Sequence, residues 1–242
     1  MTPPTGPGPG RTDAGGAPQH ERTSQFLLAP LERRVLPRIA RALPARVMPD
    51  HLTALGLLAS TLIAAAYLLS RRDEAWLWAA SALLVVQWFG DSLDGTLARV
   101  RRTERPRYGY YLDHITDAYS TSIIGLGLGL SDFMLTAVAL AVVVVYLMMS
   151  INVYLETYVF GEFRFSYGRL GPTEVRVILI LLNTVALLWR PVLFEVGGIP
   201  VTGFDIAGTA AALAMLVLLL GRVASNLRTL GRLEPPGRPR TE

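Results

Sequence analysis

The chain has 242 residues, 51% hydrophobic and 17% charged, with a formal net charge of +4 and a pI near 9.7. It contains no cysteine, three histidines (His20, His51 and His114) and no lysine, so all 23 basic residues are arginine. Disulfides, thiolate nucleophiles, cysteine-ligated zinc and a His-rich metal site are thereby excluded. Any bound metal must take oxygen ligands, which favours Mg2+, Mn2+ or Ca2+. Several apolar stretches reach the roughly 18–20 residues that span a bilayer, which places the chain among membrane proteins. In that class a basic excess reads as positive cytoplasmic loops, not as affinity for nucleic acid.

Residues 1–25 are rich in Pro, Gly and polar side chains and read as a disordered tail without the apolar core of a signal peptide. Over 26–47, Leu27, Leu28, Leu31, Val35, Leu36, Ile39, Ala40 and Leu43 alternate with Arg33, Arg34, Arg38, Arg41 and Arg46. This pattern predicts an amphipathic helix on the membrane surface, bent near Pro37 and Pro44.

Six spans are expected within 48–230, at about Leu52–Leu69, Ala75–Val100, Tyr108–Leu130, Phe133–Phe160, Thr173–Trp189 and Val201–Val223, before a cytoplasmic tail at 231–242. The fold class is therefore all-α integral membrane, six transmembrane helices after a surface helix. Arginine placement supports the count. With the N-terminus inside, twenty arginines fall on the cytoplasmic side, and only Arg71, Arg72 and Arg190 fall opposite.

The second span ends with Asp91 and Asp94, and the third begins with Asp113 and Asp117. An unpaired aspartate inside a span costs about 3 kcal/mol or more. Asp91 and Asp94 are three apart and Asp113 and Asp117 four apart, so each pair shares a helix face. A short loop joins the two spans at their cytoplasmic ends, so the four carboxylates are expected to converge in one cleft. Such a cluster must be protonated or hold cations. Two hard divalent ions there would clamp a phosphate or pyrophosphate. Gly95 and Gly109 leave room for close approach of a ligand. Arg99, Arg101, Arg102, Arg105 and Arg107 supply charge for an anionic substrate or for lipid headgroups.

The residues Asp91, Asp94, Gly95, Ala98 and Arg99, then Gly109, Asp113 and Asp117, match all eight positions of D-x-x-D-G-x-x-A-R followed by G-x-x-x-D-x-x-x-D. On these the chain resembles the CDP-alcohol phosphotransferases, also called CDP-alcohol phosphatidyltransferases. The six spans, the preceding basic helix and Pro49-Asp50-His51-Leu52-Thr53 look like the family too. Two features depart from it. Nine residues separate Arg99 from Gly109, one more than usual, and Asp50 stands where Asn is common.

The resemblance implies transfer of a substituted phosphoryl group from a CDP-alcohol to a lipid or polar acceptor hydroxyl, with release of CMP. It implies two Mg2+ or Mn2+ ions on Asp91, Asp94, Asp113 and Asp117. The nucleotide would contact Asp94, Gly95, Ala98, Arg99 and Gly109. Asp117 would be the base, and His114 would assist proton transfer or simply pack. A homodimer is also implied, and Gly125-x-x-x-Gly129 is either a dimer contact or a close helix contact.

Near the fifth span, Gly168-Arg169-Leu170-Gly171-Pro172-Thr173-Glu174-Val175-Arg176 looks like the aminoalcohol branch of the family. Arg169, Glu174 and Arg176 are expected at the acceptor or the donor phosphates. Helix capping is the competing use of Pro172, Thr173 and Glu174. Asn152 and Glu156 are candidates to line the cavity. The rival functions are a transporter, whose acids would sit nearer the bilayer midplane, and a non-catalytic lipid-binding protein. The donor stays open between CDP-diacylglycerol and a CDP-aminoalcohol.

Overall fold

The computed structural model describes residues 26–160, 171–189 and 192–235. Seven helices and one short hairpin follow in order: α1 (Ala29–Ala42), α2 (Pro49–Leu69), α3 (Trp76–Arg101), α4 (Pro106–Gly129), α5 (Thr136–Phe160), α6 (Pro172–Trp189), β1 (Val192–Val196), β2 (Ile199–Thr202) and α7 (Gly203–Leu233). Among the described residues, α2, α5, α6 and α7 are long and apolar enough to cross a membrane. α3 and α4 are as long, with 26 and 24 residues, but they carry the signature acids and arginines.

α2 packs between α3 and α4. α3 also contacts α1 and α6, while α4 leads through α5 to α7. Two apolar clusters bind the bundle. One gathers Ile63, Tyr67, Leu77, Leu84, Phe133 and Phe204 near the hairpin. The other joins Leu36 and Ala40 of α1 to Leu52, Leu93 and Leu97 at the signature end.

Small residues set how closely the helices cross. A Cβ on Gly90 would lie 2.6 Å from the Leu52 carbonyl oxygen and 2.7 Å from the Gly56 nitrogen, so α2 and α3 touch backbone to backbone there. Gly127 meets Ala64 in the same way, bringing α4 onto α2. Gly125 and Gly129 face Val143 and Ala139 of α5. The G-x-x-x-G pair is thus used as a close helix contact within the chain.

Helix ends follow local chemistry. α1 runs through Pro37 and stops at Ala42, before Pro44. The freed carbonyls of Leu43, Pro44, Ala45 and Val47 accept hydrogen bonds from the Arg101 guanidinium. Arg101 therefore clamps the linker between α1 and α2. α7 continues ten residues past the expected end at Val223. Hydropathy marks where an apolar span ends, but no proline intervenes before Leu233, and the helix runs through Gly231.

The hairpin is absent from the sequence reading. Val196-Gly197-Gly198-Ile199 turns with φ of +60° and +81° at the two glycines, the geometry of a tight two-residue hairpin. Thr202 and Asp205 then form a reciprocal capping box that starts α7. Asp205 also accepts the Leu135 N–H at 2.7 Å, tying the starts of α5 and α7 together.

Candidate active site

The signature residues lie on the last turns of α3 and the first turns of α4. Asp91 and Asp94 line one small cleft with Thr53 and Gly56 of α2, Gln87 of α3, and Thr116 and Ser120 of α4. The Asp94 carboxylate accepts the Thr53 hydroxyl at 2.7 Å and its neighbouring Gly95 N–H at 2.5 Å. It lies within electrostatic reach of Asp91 and Asp113. The Gly56–Gly90 crossing holds this arrangement, because it fixes α2 against the turn of α3 just before the two acids.

Asp91 already has a cation. Arg176 of α6 donates to Asp91 Oδ2 at 2.5 Å and to Gln87 Oε1 at 2.5 Å. Its side chain is only 11% exposed and that of Asp91 23%. Arg169 lies outside the described residues. Glu174 is buried, and its oxygens accept the Leu28 N–H at 2.7 Å and the Gly171 N–H at 2.9 Å. That is the capping use of a first-turn glutamate.

On α4, the Asp113 carboxylate is 3.6 Å from His114 Nδ1. The same nitrogen is 2.7 Å from the Tyr110 carbonyl oxygen, which can only accept, so Nδ1 carries a proton and donates there. His114 lies against two tilted rings, Tyr110 at 4.1 Å and Tyr154 at 5.2 Å between centroids. Asp117 is within electrostatic reach of Tyr146 and Tyr154 of α5. Among the described residues, no three Asp, Glu or His side chains are gathered tightly enough to hold a metal ion. The structure thus joins Asp91 and Asp94 in one cleft and keeps Asp113 within their field. It places Asp117 one helical turn further along α4. The donor chemistry, carboxylate, hydroxyl and the Gln87 amide oxygen, fits a hard divalent ion, and the cleft already draws one positive charge to Asp91.

Several participants escaped the sequence reading. Thr53 contacts Asp94 directly, and Gln87 reaches Asp91 through the Arg176 guanidinium. Glu156, expected near the cavity, binds Arg222 at 2.9 and 3.2 Å, Asn226 at 2.5 Å and Asn152 at 2.8 Å, locking α5 to α7. Arg222 and Asn226, four apart late in the last span, were the available clue. Arg105 pairs with Asp50 and covers the Tyr108 ring at 3.9 Å. Asp50, on α2, raises the Arg105 guanidinium further above its ordinary range.

The family model for CDP-alcohol phosphatidyltransferase matches residues 46–230. The chain belongs to the CDP-alcohol phosphatidyltransferase family. It is therefore an integral membrane transferase of phospholipid synthesis. Its fold is similar to the crystal structure of Mycobacterium tuberculosis phosphatidylinositol phosphate synthase (PgsA1) with CDP-DAG bound. The TM-score is 0.60 at 21% identity, covering 79% of this chain and 92% of that one. No curated protein matches the sequence.

The family's two signature glycines differ in their surroundings. A Cβ on Gly95 would meet only the Arg99 guanidinium, at 3.5 Å, and one on Gly109 would meet nothing within 4 Å. Glycine inside a helix costs about 1 kcal/mol relative to alanine. At Gly109 no packing within the described protein offsets that cost. Gly109→Ala is expected to keep or raise the Tm while lowering kcat/KM for a CDP-alcohol at least tenfold, mainly through KM. Unchanged kinetics would remove Gly109 from the ligand site.

Proposed function

We propose that this protein transfers a substituted phosphoryl group from a CDP-alcohol to an acceptor hydroxyl and releases CMP. The carrying observation is the juxtaposition in one α2–α3–α4 cleft of Asp91 and Asp94, with the Asp94 carboxylate held by Thr53 and by the Gly95 N–H. In this reading Asp91, Asp94, Asp113 and Asp117 hold two Mg2+ or Mn2+ ions. Such ions, when bound, neutralise the diphosphate and the departing CMP.

The protein's own groups do the rest. Gly95, Ala98 and Gly109 give the nucleotide room, while Asp94 and Arg99 contact it. Arg176, held at the cleft by Gln87, meets the donor or acceptor phosphates, with Glu174 fixing the start of its helix. Arg169 belongs to the same contact. Asp117 accepts the proton of the acceptor hydroxyl as that oxygen bonds to the β-phosphorus. The bond from the β-phosphorus to the bridging oxygen breaks, and its electrons leave with CMP. His114, next to Asp113 on α4, assists that proton's exit.

Six spans, with α3 and α4 among them, place both termini and the cleft on the cytoplasmic side of the cell membrane in a prokaryote. α1 then lies at the surface. Exposed Trp76, Trp78 and Trp189, at the start of α3 and the end of α6, suit the opposite interface. The working unit in this reading is a homodimer.

The donor is either CDP-diacylglycerol or a CDP-aminoalcohol. The CDP-DAG carried by the structural relative supports the first, and the Asp113-His114 pair with Gly-Pro-Thr-Glu supports the second. The test is mass spectrometry of lipids formed when membranes holding the protein receive each labelled donor. CMP with a new labelled lipid from one donor is expected. No CMP from any CDP-alcohol would overturn the proposal.

A further inference from the structure

α1 is fastened to the site by carboxylates. Glu32 Oε1 accepts the Trp88 indole N–H of α3 at 2.8 Å and the Thr173 hydroxyl of α6 at 2.6 Å. Glu174 of α6 accepts the Leu28 N–H just before α1 begins. These contacts fall on the segments that carry the Arg176–Asp91 pair. Trp88 follows Gln87 and is three residues before Asp91, and Thr173 is three before Arg176. A shift of α1 along its axis must therefore load both ends of that pair.

The other face of α1 is different. Ala29, Leu36 and Ala40 are buried. Directly opposite on the helix, Leu31, Arg34, Arg38 and Arg41 form one stripe, and Leu27 just before the helix is exposed as well, among the described residues. Apolar side chains at its start and three guanidiniums after them complement a leaflet bearing anionic headgroups. Neutral or zwitterionic lipid offers no net charge to match.

We propose that α1 is an anionic-lipid sensor: its arginine stripe docks on the headgroups of the surrounding leaflet, and Glu32 with Glu174 transmit that docking to Arg176 and Asp91. The consequence for turnover rests on the transferase reading above; the docking and its transmission do not.

The test uses full-length protein in vesicles of phosphatidylcholine alone or mixed with phosphatidylglycerol. Trp76, Trp78 and Trp189 are replaced by Phe, so that emission reports Trp88 and its bond to Glu32. Each near-surface arginine is worth about fivefold in binding to an anionic leaflet. Replacing Arg34, Arg38 and Arg41 by Gln should then weaken phosphatidylglycerol retention, read by native mass spectrometry, by on the order of 100-fold. Phosphatidylglycerol should shift Trp88 emission and raise CMP release in the parent, and high salt should weaken both responses. The Gln variant should lose both, and the corresponding Lys variant should regain them. Glu32→Gln should retain the lipid but lose the release response. Emission and lipid retention unaffected by the Gln substitutions would overturn the sensor. If both respond while no donor gives CMP in any lipid, the transferase reading fails and the sensor stands.

Discussion

Asp117→Asn lowers kcat for CMP release by roughly a thousandfold, within the span that a positioned general base contributes. The change is isosteric and removes one negative charge, so it deletes the proposed proton acceptor and one proposed metal ligand together. It removes no packing atom, and it relieves repulsion among the four acids of α3 and α4. The Tm should therefore stay within a few degrees of the parent or rise. Excess chelator should bring the unmodified protein to the same low rate. Mg2+ or Mn2+ should restore it, while the variant should not recover. Asp117 does not share the cleft wall occupied by Asp91 and Asp94, so the result also reports whether the start of α4 takes part in the chemistry. A kcat near that of the parent would remove Asp117 from it, and full activity in chelator would reject the metal ions.

The second large effect belongs to a residue without a functional group. In Gly90→Ala the new Cβ meets three backbone atoms of α2, the Leu52 oxygen at 2.6 Å, the Gly56 nitrogen at 2.7 Å and the Gly56 Cα at 2.9 Å. Backbone cannot rotate aside as a side chain can. The two helices must separate, at a cost of about 1–3 kcal/mol for overpacking. Separation also pulls Thr53 from Asp94, four residues beyond the crossing, and a misplacement of about 1 Å can cost on the order of 100-fold in rate. A clearly lowered Tm together with a loss of kcat/KM at that scale is expected in detergent-purified protein. Gly109→Ala is the control for stability alone, since it adds the same methyl group in open space. Normal stability and activity in Gly90→Ala would mean that the α2–α3 crossing does not hold the site.

The candidate site was legible where its information is local. The spacing of Asp91 and Asp94, and of Asp113 and Asp117, is fixed by helical periodicity; the short loop did not decide how the two pairs meet, because α2 packs between α3 and α4 and only Asp91 and Asp94 line the cleft. The hairpin was also local: Gly197-Gly198 between β-branched residues is a direct turn pattern, hidden by attention to hydropathy. Arg101 shows the opposite case. It belongs to a basic cluster that invites a ligand, yet its guanidinium is engaged by four carbonyls of the α1–α2 linker. A charge in sequence shows neither its partner nor whether that partner is protein or ligand.

By itself the sequence determined the membrane class, an oxygen-only donor set and the order of the signature residues, because composition and periodicity act through neighbours along the chain. The tertiary structure alone decided that Arg176 sits on Asp91 across 85 residues and that Glu156 is closed by Arg222 across 66. It also decided that Glu32 ties α1 to both α3 and α6. Those choices depend on which helices pack together and how closely. That is set by glycine and alanine crossings summed over the whole bundle, which no local pattern contains.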